Sequence, residues 1–370
     1  MRIGVPREIK VHEYRVGLSP ASVRELVVAG HTVLVETGAG AAIGMDDTQY
    51  RNAGARLASV EEVFADTELV VKVKEPQPQE CARLHAGQVI FTYLHLAPDP
   101  AQAAALIASG ACCIAYETVT GPGGTLPLLA PMSAVAGRMA VQVAACHLEK
   151  ARGGRGVLLG GVPGVEAGRV VILGAGVVGT NALQIAVGMG AQVTVVDRNA
   201  ERLRELDLHF GNRVATRHAS RTAIEDAVLA ADAVIGAVLM PGAKAPRLVD
   251  RALVARMHPG SVLVDVAIDQ GGCFETSRPT THADPTFVHD GVVHYGVANM
   301  PGAVARTSTL ALNNATLPRV MALANLGWQQ ALRDDEHLRH GLNLCSGQVT
   351  HAAVAQALGL AHTPAELLLR

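Results

Sequence analysis

Apolar and polar positions alternate with two periods along the first 120 residues, and the two periods take turns. "RIGVP" (2–6), "HTVLVET" (31–37), "ELVVKVK" (68–74), "QVIFTYLH" (88–95) and "ACCIAYET" (111–118) read as strands rich in β-branched residues. Between them, "PASVRELVVAG", "SVEEVFADT", "QPQECARLHAG" and "DPAQAAALIASG" read as helices, several with Ser or Pro at the start and Gly at the end. Repeated β-α units of this kind build a parallel, doubly wound sheet. One strand breaks the pattern. In "ELVVKVK", Val70, Val71 and Val73 suit burial, but Lys72 and Lys74 do not. Side chains alternate along a strand, so both lysines are expected on one face. Lys72 reads as the more peripheral of the two.

A Gly- and Pro-rich loop, "GPGGTLPLLAPM", precedes a long helix predicted from Ser133 to about Lys150, with Ser133 as its N-cap. It is a natural connector to a second β-α series: "RVVILG", "QVTVVD", "RVATRHA", "DAVIGAV" and "SVLVDVA". After about residue 305 the pattern is helical to the end. With no further strand series, that segment is expected to pack back onto an existing domain.

Composition narrows the classes. A chain of 370 residues suits two domains. Hydrophobic residues make up 49% and aromatics only 3%, so the cores are aliphatic, as helix-covered parallel sheets require. A net charge of −2 gives no basis for nucleic acid or an anionic membrane as partner. The stretch Val170–Val196 carries no charge and is long enough to span a bilayer, but glycines interrupt it and strand-turn-helix-strand explains it better. The N-terminus has no apolar signal region. The six cysteines lack zinc spacing, so no metal site is read, and all six are taken as reduced thiols of a cytosolic protein.

The strongest chemical motif lies in the second series. Gly174, Gly176 and Gly179 form G-x-G-x-x-G between a strand and a helix. The first glycine allows the tight turn, the second lets the backbone approach a pyrophosphate, and the third lets helix and strand pack closely. Asp197 ends the next strand, 18 residues after Gly179, where a carboxylate accepts hydrogen bonds from an adenosine ribose. It also repels a 2′-phosphate, which favours NAD over NADP. Ligands in such sheets bind beyond the carboxyl ends of the strands, so "GAVLMPG" and "DVAIDQGG" are further candidates.

A second set lies in the first series. Arg15 follows the first strand, Lys74 ends "VKVK" and His95 ends "FTYLH". Arg and Lys suit a substrate carboxylate, and His exchanges protons near neutral pH. Asp269, in "AIDQGG", is expected to reach the same cleft from the cofactor domain. Each also has a structural alternative. A lone histidine at a strand end such as His95 is more often a structural or surface residue, and Lys74 reads as a solvated strand exit, Arg15 as a surface partner of Glu13 or Glu8, and Asp269 as a cap before Gly271 and Gly272.

Taken in order, "MRIGVPREIK", "EYRVGLSP", "VKVKEP", "FTYLHLA", "AYETV", "LPLLAPMS", "GGRGVLLGGVPGV", "GAGVVG", "AIDQGGCFETSRPTTH" and "VANMPGAV" resemble the NAD-dependent alanine dehydrogenases and the NAD(H)-binding subunit of nicotinamide nucleotide transhydrogenase. The resemblance covers about residues 1 to 315. It implies an α/β fold of two Rossmann-like doubly wound domains with mostly parallel sheets. The substrate domain is discontinuous (1–128 and 305–370), and the NAD-binding domain (129–304) is inserted in it. It implies reversible oxidation of L-alanine to pyruvate and ammonia with NAD in a cytoplasmic homohexamer. On the matched motifs, Arg15 and Lys74 hold the substrate carboxylate or carbonyl, and His95 and Asp269 are catalytic. Matched cofactor positions are Ser133, Gly174, Gly176, Val178, Gly179, Asp197, Arg202, Ser220, Leu239 and Asn299. Arg202 stands where relatives carry lysine. The alternatives are a transhydrogenase binding subunit, which needs no amino-acid site, and a dehydrogenase of another amino acid.

Overall fold

The computed structural model describes residues 1–238 and 245–369. The first series forms β1 (Arg2–Val5), β2 (Thr32–Glu36), β3 (Arg56–Ala58), β4 (Leu69–Val71), β5 (Val89–Thr92) and β6 (Cys112–Ala115). The second forms β7 (Arg169–Leu173), β8 (Gln192–Asp197), β9 (Val214–His218), β10 (Ala233–Gly236), β11 (Val262–Asp265), β12 (Thr286–His289) and β13 (Val292–Tyr295). Two more strands, β14 (Leu342–Cys345) and β15 (Gln348–Val349), lie near the C-terminus. The chain divides into two compact units, Met1–Met132 with Val304–Arg370 and Ser133–Ala303.

The first unit has an eight-stranded sheet in the order β15-β14-β6-β5-β4-β1-β2-β3. From β3 to β6 every pair is parallel, and β14 joins the β6 edge antiparallel. The chain leaves β1 for β2 on one side and returns to β4 on the other, so strand order reverses between β1 and β4. Loops diverge at such a point and leave a crevice beyond the strand ends. The second unit has a seven-stranded sheet, β12-β13-β11-β10-β7-β8-β9, with its reversal between β7 and β10 and an antiparallel edge at β12.

Local chemistry sets the helices. Ser19 caps the helix Pro20–Val28 by accepting from the Ser22 N–H, with proline in the first turn. Ser59 and Glu62 form a capping box on Val60–Ala65. One face of the first sheet buries Val70, Ile90, Cys113 and Leu344 against Phe64, Leu94 and Leu106. Each buried aliphatic side chain of this size stabilises by about 1.5–3 kcal/mol. Among the described residues, no helix is long and apolar enough to cross a membrane.

Four expectations need correction. The run "ELVVKVK" leaves the sheet after Val71, so the two lysines do not share a strand face. The long helix starts at Ala130, so Ser133 lies inside its first turn and does not cap it. The C-terminal segment is not purely helical. β14 and β15 have four and two residues, too few to show a period, and exist because the β6 edge offers them a ladder. Finally, not all cysteines are thiols. The antiparallel pairing of β14 with β6 brings Cys345 to Cys112, with Cα atoms 4.0 Å apart, and the two are disulfide-bonded. Their separation of 233 residues hides the pair from any reading of spacing. Cys81, Cys113, Cys146 and Cys273 are free thiols.

Candidate active site

In the first unit, four neighbouring parallel strands deliver the candidate side chains from their carboxyl ends. Arg15 follows β1, Lys74 follows β4, His95 follows β5 and Glu117 follows β6. Arg15 and Lys74 therefore flank the strand reversal, and His95 is one strand further on.

Arg15 is buried, not a surface partner. Its Nε and Nη2 donate to the two carboxylate oxygens of Glu13 at 2.7 and 2.5 Å, and Nη1 lies 3.1 Å from the Met132 sulfur. Burial works against the cation. The Glu13 carboxylate more than offsets this, holding the guanidinium above its ordinary range. The loop itself is anchored from the C-terminal segment. On the helix Ala305–Leu326, Asn313 accepts from the Ser19 N–H at 2.7 Å and the Ser22 hydroxyl at 2.8 Å, and donates to the Gly17 carbonyl at 3.1 Å. Thr309 on the same helix accepts from the Val16 N–H.

The two lysines have separate fates. Lys72 is wholly buried, with Nζ 2.7 Å from Glu80 and 3.2 Å from Glu8. This reverses the sequence ranking that made it peripheral. Two carboxylates around one buried ammonium leave a negative excess. Burial pushes the Glu8 carboxyl up, the Lys72 charge opposes it, and Glu13 adds to it. Glu8 also accepts from the Val73 N–H at 2.7 Å, so the triad fixes the chain immediately before Lys74. Lys74 is half-buried, with Nζ 3.9 Å from Glu75.

His95 is exposed and has a left-handed backbone, φ 50°. Only a few per cent of non-glycine residues adopt this, at a cost of about 1–2 kcal/mol. The Glu117 carboxylate holds it there. One oxygen accepts from the His95 N–H at 2.7 Å, and both accept from the Leu94 N–H at 3.2 and 3.3 Å. The His95 ring stacks parallel to Tyr93 at 5.8 Å, and the Tyr93 hydroxyl donates to the Leu128 carbonyl. The sequence reading did not single out Glu117, although "AYETV" was in view. The β5–β6 register, Thr92 opposite Ala115, is the missing signal that sets the two loops side by side.

In the second unit the glycine loop fits a dinucleotide. Gly174 has φ 102°, a turn that favours glycine, and a Cβ there would lie 2.8 Å from the Ala237 carbonyl. Among the described residues, a Cβ on Gly176 would meet nothing within 4 Å, so the backbone there is open to a ligand's approach. A Cβ on Gly179 would lie 1.9 Å from the Gly174 carbonyl, which is close helix–strand packing. The helix Val177–Gly188 starts at this opening, with N–H groups and a dipole that favour phosphate. Val178 is buried in its first turn. Asp197 accepts from the Ala175 N–H at 2.6 Å and from the Asn199 N–H at 2.8 Å, which aims its carboxylate at the loop. Arg202 donates to the Ala175 carbonyl at 2.9 Å and the Thr180 hydroxyl at 2.7 Å.

The other predicted positions are more dispersed. Ser220 is exposed and caps the helix Arg221–Ala230. Ser133 is half-buried in the long helix. Asn299 has φ 62°, and its carbonyl lies 3.1 Å from His282 Nε2. Asp269 is exposed on the short 3-10 turn Ile268–Gln270 after β11. Leu239 lies outside the described residues. Among the described residues, no group of three or more His, Cys, Asp or Glu is placed to hold a metal ion.

Two family models match the chain: the alanine dehydrogenase/PNT N-terminal domain over residues 4–136 and the alanine dehydrogenase/PNT C-terminal domain over residues 140–352. An alanine dehydrogenase of Halomonas elongata is 59% identical over 370 residues, covering 100% of both chains. A solved L-alanine dehydrogenase is 55% identical with a TM-score of 0.95, over 97% of this chain and 99% of that one. A transhydrogenase structure from Sinorhizobium meliloti is 25% identical with a TM-score of 0.82, over 95% and 100%. The glycine loop of the second unit, the cation and histidine edge of the first, and these full-length matches agree: the chain belongs to the alanine dehydrogenase/PNT family.

Proposed function

We propose that the chain is an NAD-dependent L-alanine dehydrogenase, converting L-alanine, NAD and water reversibly to pyruvate, ammonium, NADH and a proton. The observation that carries the reading is the full-length likeness to alanine dehydrogenases, at more than twice the identity of the transhydrogenase match. In this reading residues 1–128 and 305–370 are the substrate domain, and 129–304 bind NAD. The preference for NAD over NADP rests on Asp197, whose carboxylate repels a 2′-phosphate.

Arg15 and Lys74 take the substrate carboxylate or carbonyl oxygen. Lys74 is the compact charge and Arg15 the directed donor. The substrate amine gives up its proton before Cα is oxidised. The bound dinucleotide supplies the hydride acceptor. The resulting imine is attacked by water, with Asp269 or His95 taking the water proton. His95 then moves protons between oxygen and nitrogen as the carbinolamine collapses, releasing ammonia and leaving pyruvate. Ser133, Gly174, Gly176, Val178, Gly179, Arg202, Ser220, Leu239 and Asn299 complete the cofactor set. We also infer a cytoplasmic homohexamer, on the family likeness alone.

The test is the appearance of NADH absorbance when purified protein meets NAD and L-alanine at mildly alkaline pH, with D-alanine and NADP as controls. NADH should form with L-alanine and NAD, and little with either control. Silence from a chain that still binds NADH sinks the reading and moves attention to the transhydrogenase alternative.

A further inference from the structure

We infer that Glu117 is a positioning residue for this reaction: its carboxylate sets the main chain of His95 and so the direction in which the imidazole is offered. The inference rests on the dehydrogenase reading above, which gives His95 its chemical role. Three observations support it.

First, His95 occupies a backbone conformation that its side chain disfavours, φ 50°. Such a residue persists only where its surroundings hold it. Second, the holding group is identifiable. Glu117 accepts from two successive N–H groups, Leu94 and His95, the latter at 2.7 Å. On the other side of the same peptide chain, the Gln102 amide donates to the Leu94 carbonyl at 3.0 Å. Third, Glu117 holds the ring more loosely than the backbone. His95 Nδ1 lies 3.9 Å from the carboxylate, an ion-pair distance for a protonated ring but beyond a hydrogen bond. The hydrogen bonds of Glu117 to this residue therefore go to the backbone, and the ring stacks on Tyr93. The grip is stiff because both partners follow directly from neighbouring strands, β5 and β6. A misplacement of about 1 Å in a reacting group costs on the order of 100-fold in rate.

The experiment compares Glu117→Ala, Glu117→Gln and Glu117→Asp by steady-state kinetics with L-alanine and NAD, and by NADH titration. Glu117→Ala should lose about 100-fold in kcat, with the KM for L-alanine and the NADH affinity nearly unchanged. Glu117→Gln keeps an oxygen that accepts the His95 N–H, so it should recover at least tenfold of that loss. Glu117→Asp, one methylene shorter, should not. Three results would overturn the inference: full turnover in Glu117→Ala, equal loss in Ala and Gln, or a rise in KM at constant kcat. If Glu117→Ala fails to fold, the contrast between Gln and Asp decides on the same terms. A wild-type chain silent with L-alanine removes the functional reading and this inference together. An active wild type beside a fully active Glu117→Ala removes the inference alone.

Discussion

At the scale of single residues, each glycine of the dinucleotide loop answers its own steric demand. Those demands differ enough to separate by substitution. Gly176→Ala places a methyl where none of the described residues lies within 4 Å, so the protein should keep its melting temperature yet bind NADH at least tenfold more weakly. Gly179→Ala drives a methyl into the Gly174 carbonyl and should lose about 1–3 kcal/mol of stability. Thermal melts with fluorescence titration of NADH check both; equal melting temperatures in the two variants would contradict the packing argument. Arg15, Lys74 and His95 were visible as polar groups at strand ends, with Glu13 and Glu8 as surface partners of Arg15, whereas the burial of those pairs and the parts played by Glu80 and Glu117 were not. Their roles depend on which strand lies beside which, and no short stretch of sequence states that. A buried histidine makes a further case. His294 lies between the Thr276 hydroxyl at 2.7 Å and the Val292 carbonyl at 3.0 Å, and it stacks on Phe287 with His289 edge-on. Burial lowers its proton affinity, and the Val292 carbonyl only partly opposes this. The unfolded chain then takes up the proton first as pH falls below 6.5. Stability is complete above that pH and lost on acidification towards the lower folded value. Melting temperature should fall from pH 7.5 to 5.5. The fall should be smaller in His294→Phe, even though that variant starts lower; equal slopes would remove His294 from the account.

At the scale of elements, periodicity found the long, buried strands and most helices. It failed where an element is short or borrowed. β3, β14 and β15 have too few residues for a pattern and take their form from a neighbour's free edge. The helix Ala305–Leu326 was foreseen as helix, but its task was not. It presents Asn313 and Thr309 to the loop that carries Arg15. Asn313→Ala strips the buried Ser19 N–H and Gly17 carbonyl of their partner, at a cost of about 1–3 kcal/mol. The loop should loosen while the cofactor unit is untouched. The KM for L-alanine should therefore rise several-fold with NADH affinity unchanged, as steady-state kinetics and NADH titration would show. An unaltered KM would mean that the loop holds its shape without the helix.

At the scale of the whole molecule, two α/β units, one interrupting the other, follow from a sequence whose last residues complete its first sheet. The hexamer proposed above is open to direct test: on that proposal, light scattering should give about 230 kDa, six times the chain mass of 38.4 kDa. A mass near one or two chains would contradict the hexamer. The interruption also has a consequence in time. The ribosome makes Cys345 233 residues after Cys112, a delay of roughly 10–50 s at ordinary elongation rates. Throughout that interval β6, with all four residues destined for burial, is the naked border of an unfinished sheet. The middle unit can meanwhile fold. Such a border recruits whatever strand comes near. Nascent chains halted just short of Leu342 should therefore clump or engage chaperones, and chains released past Val349 should not.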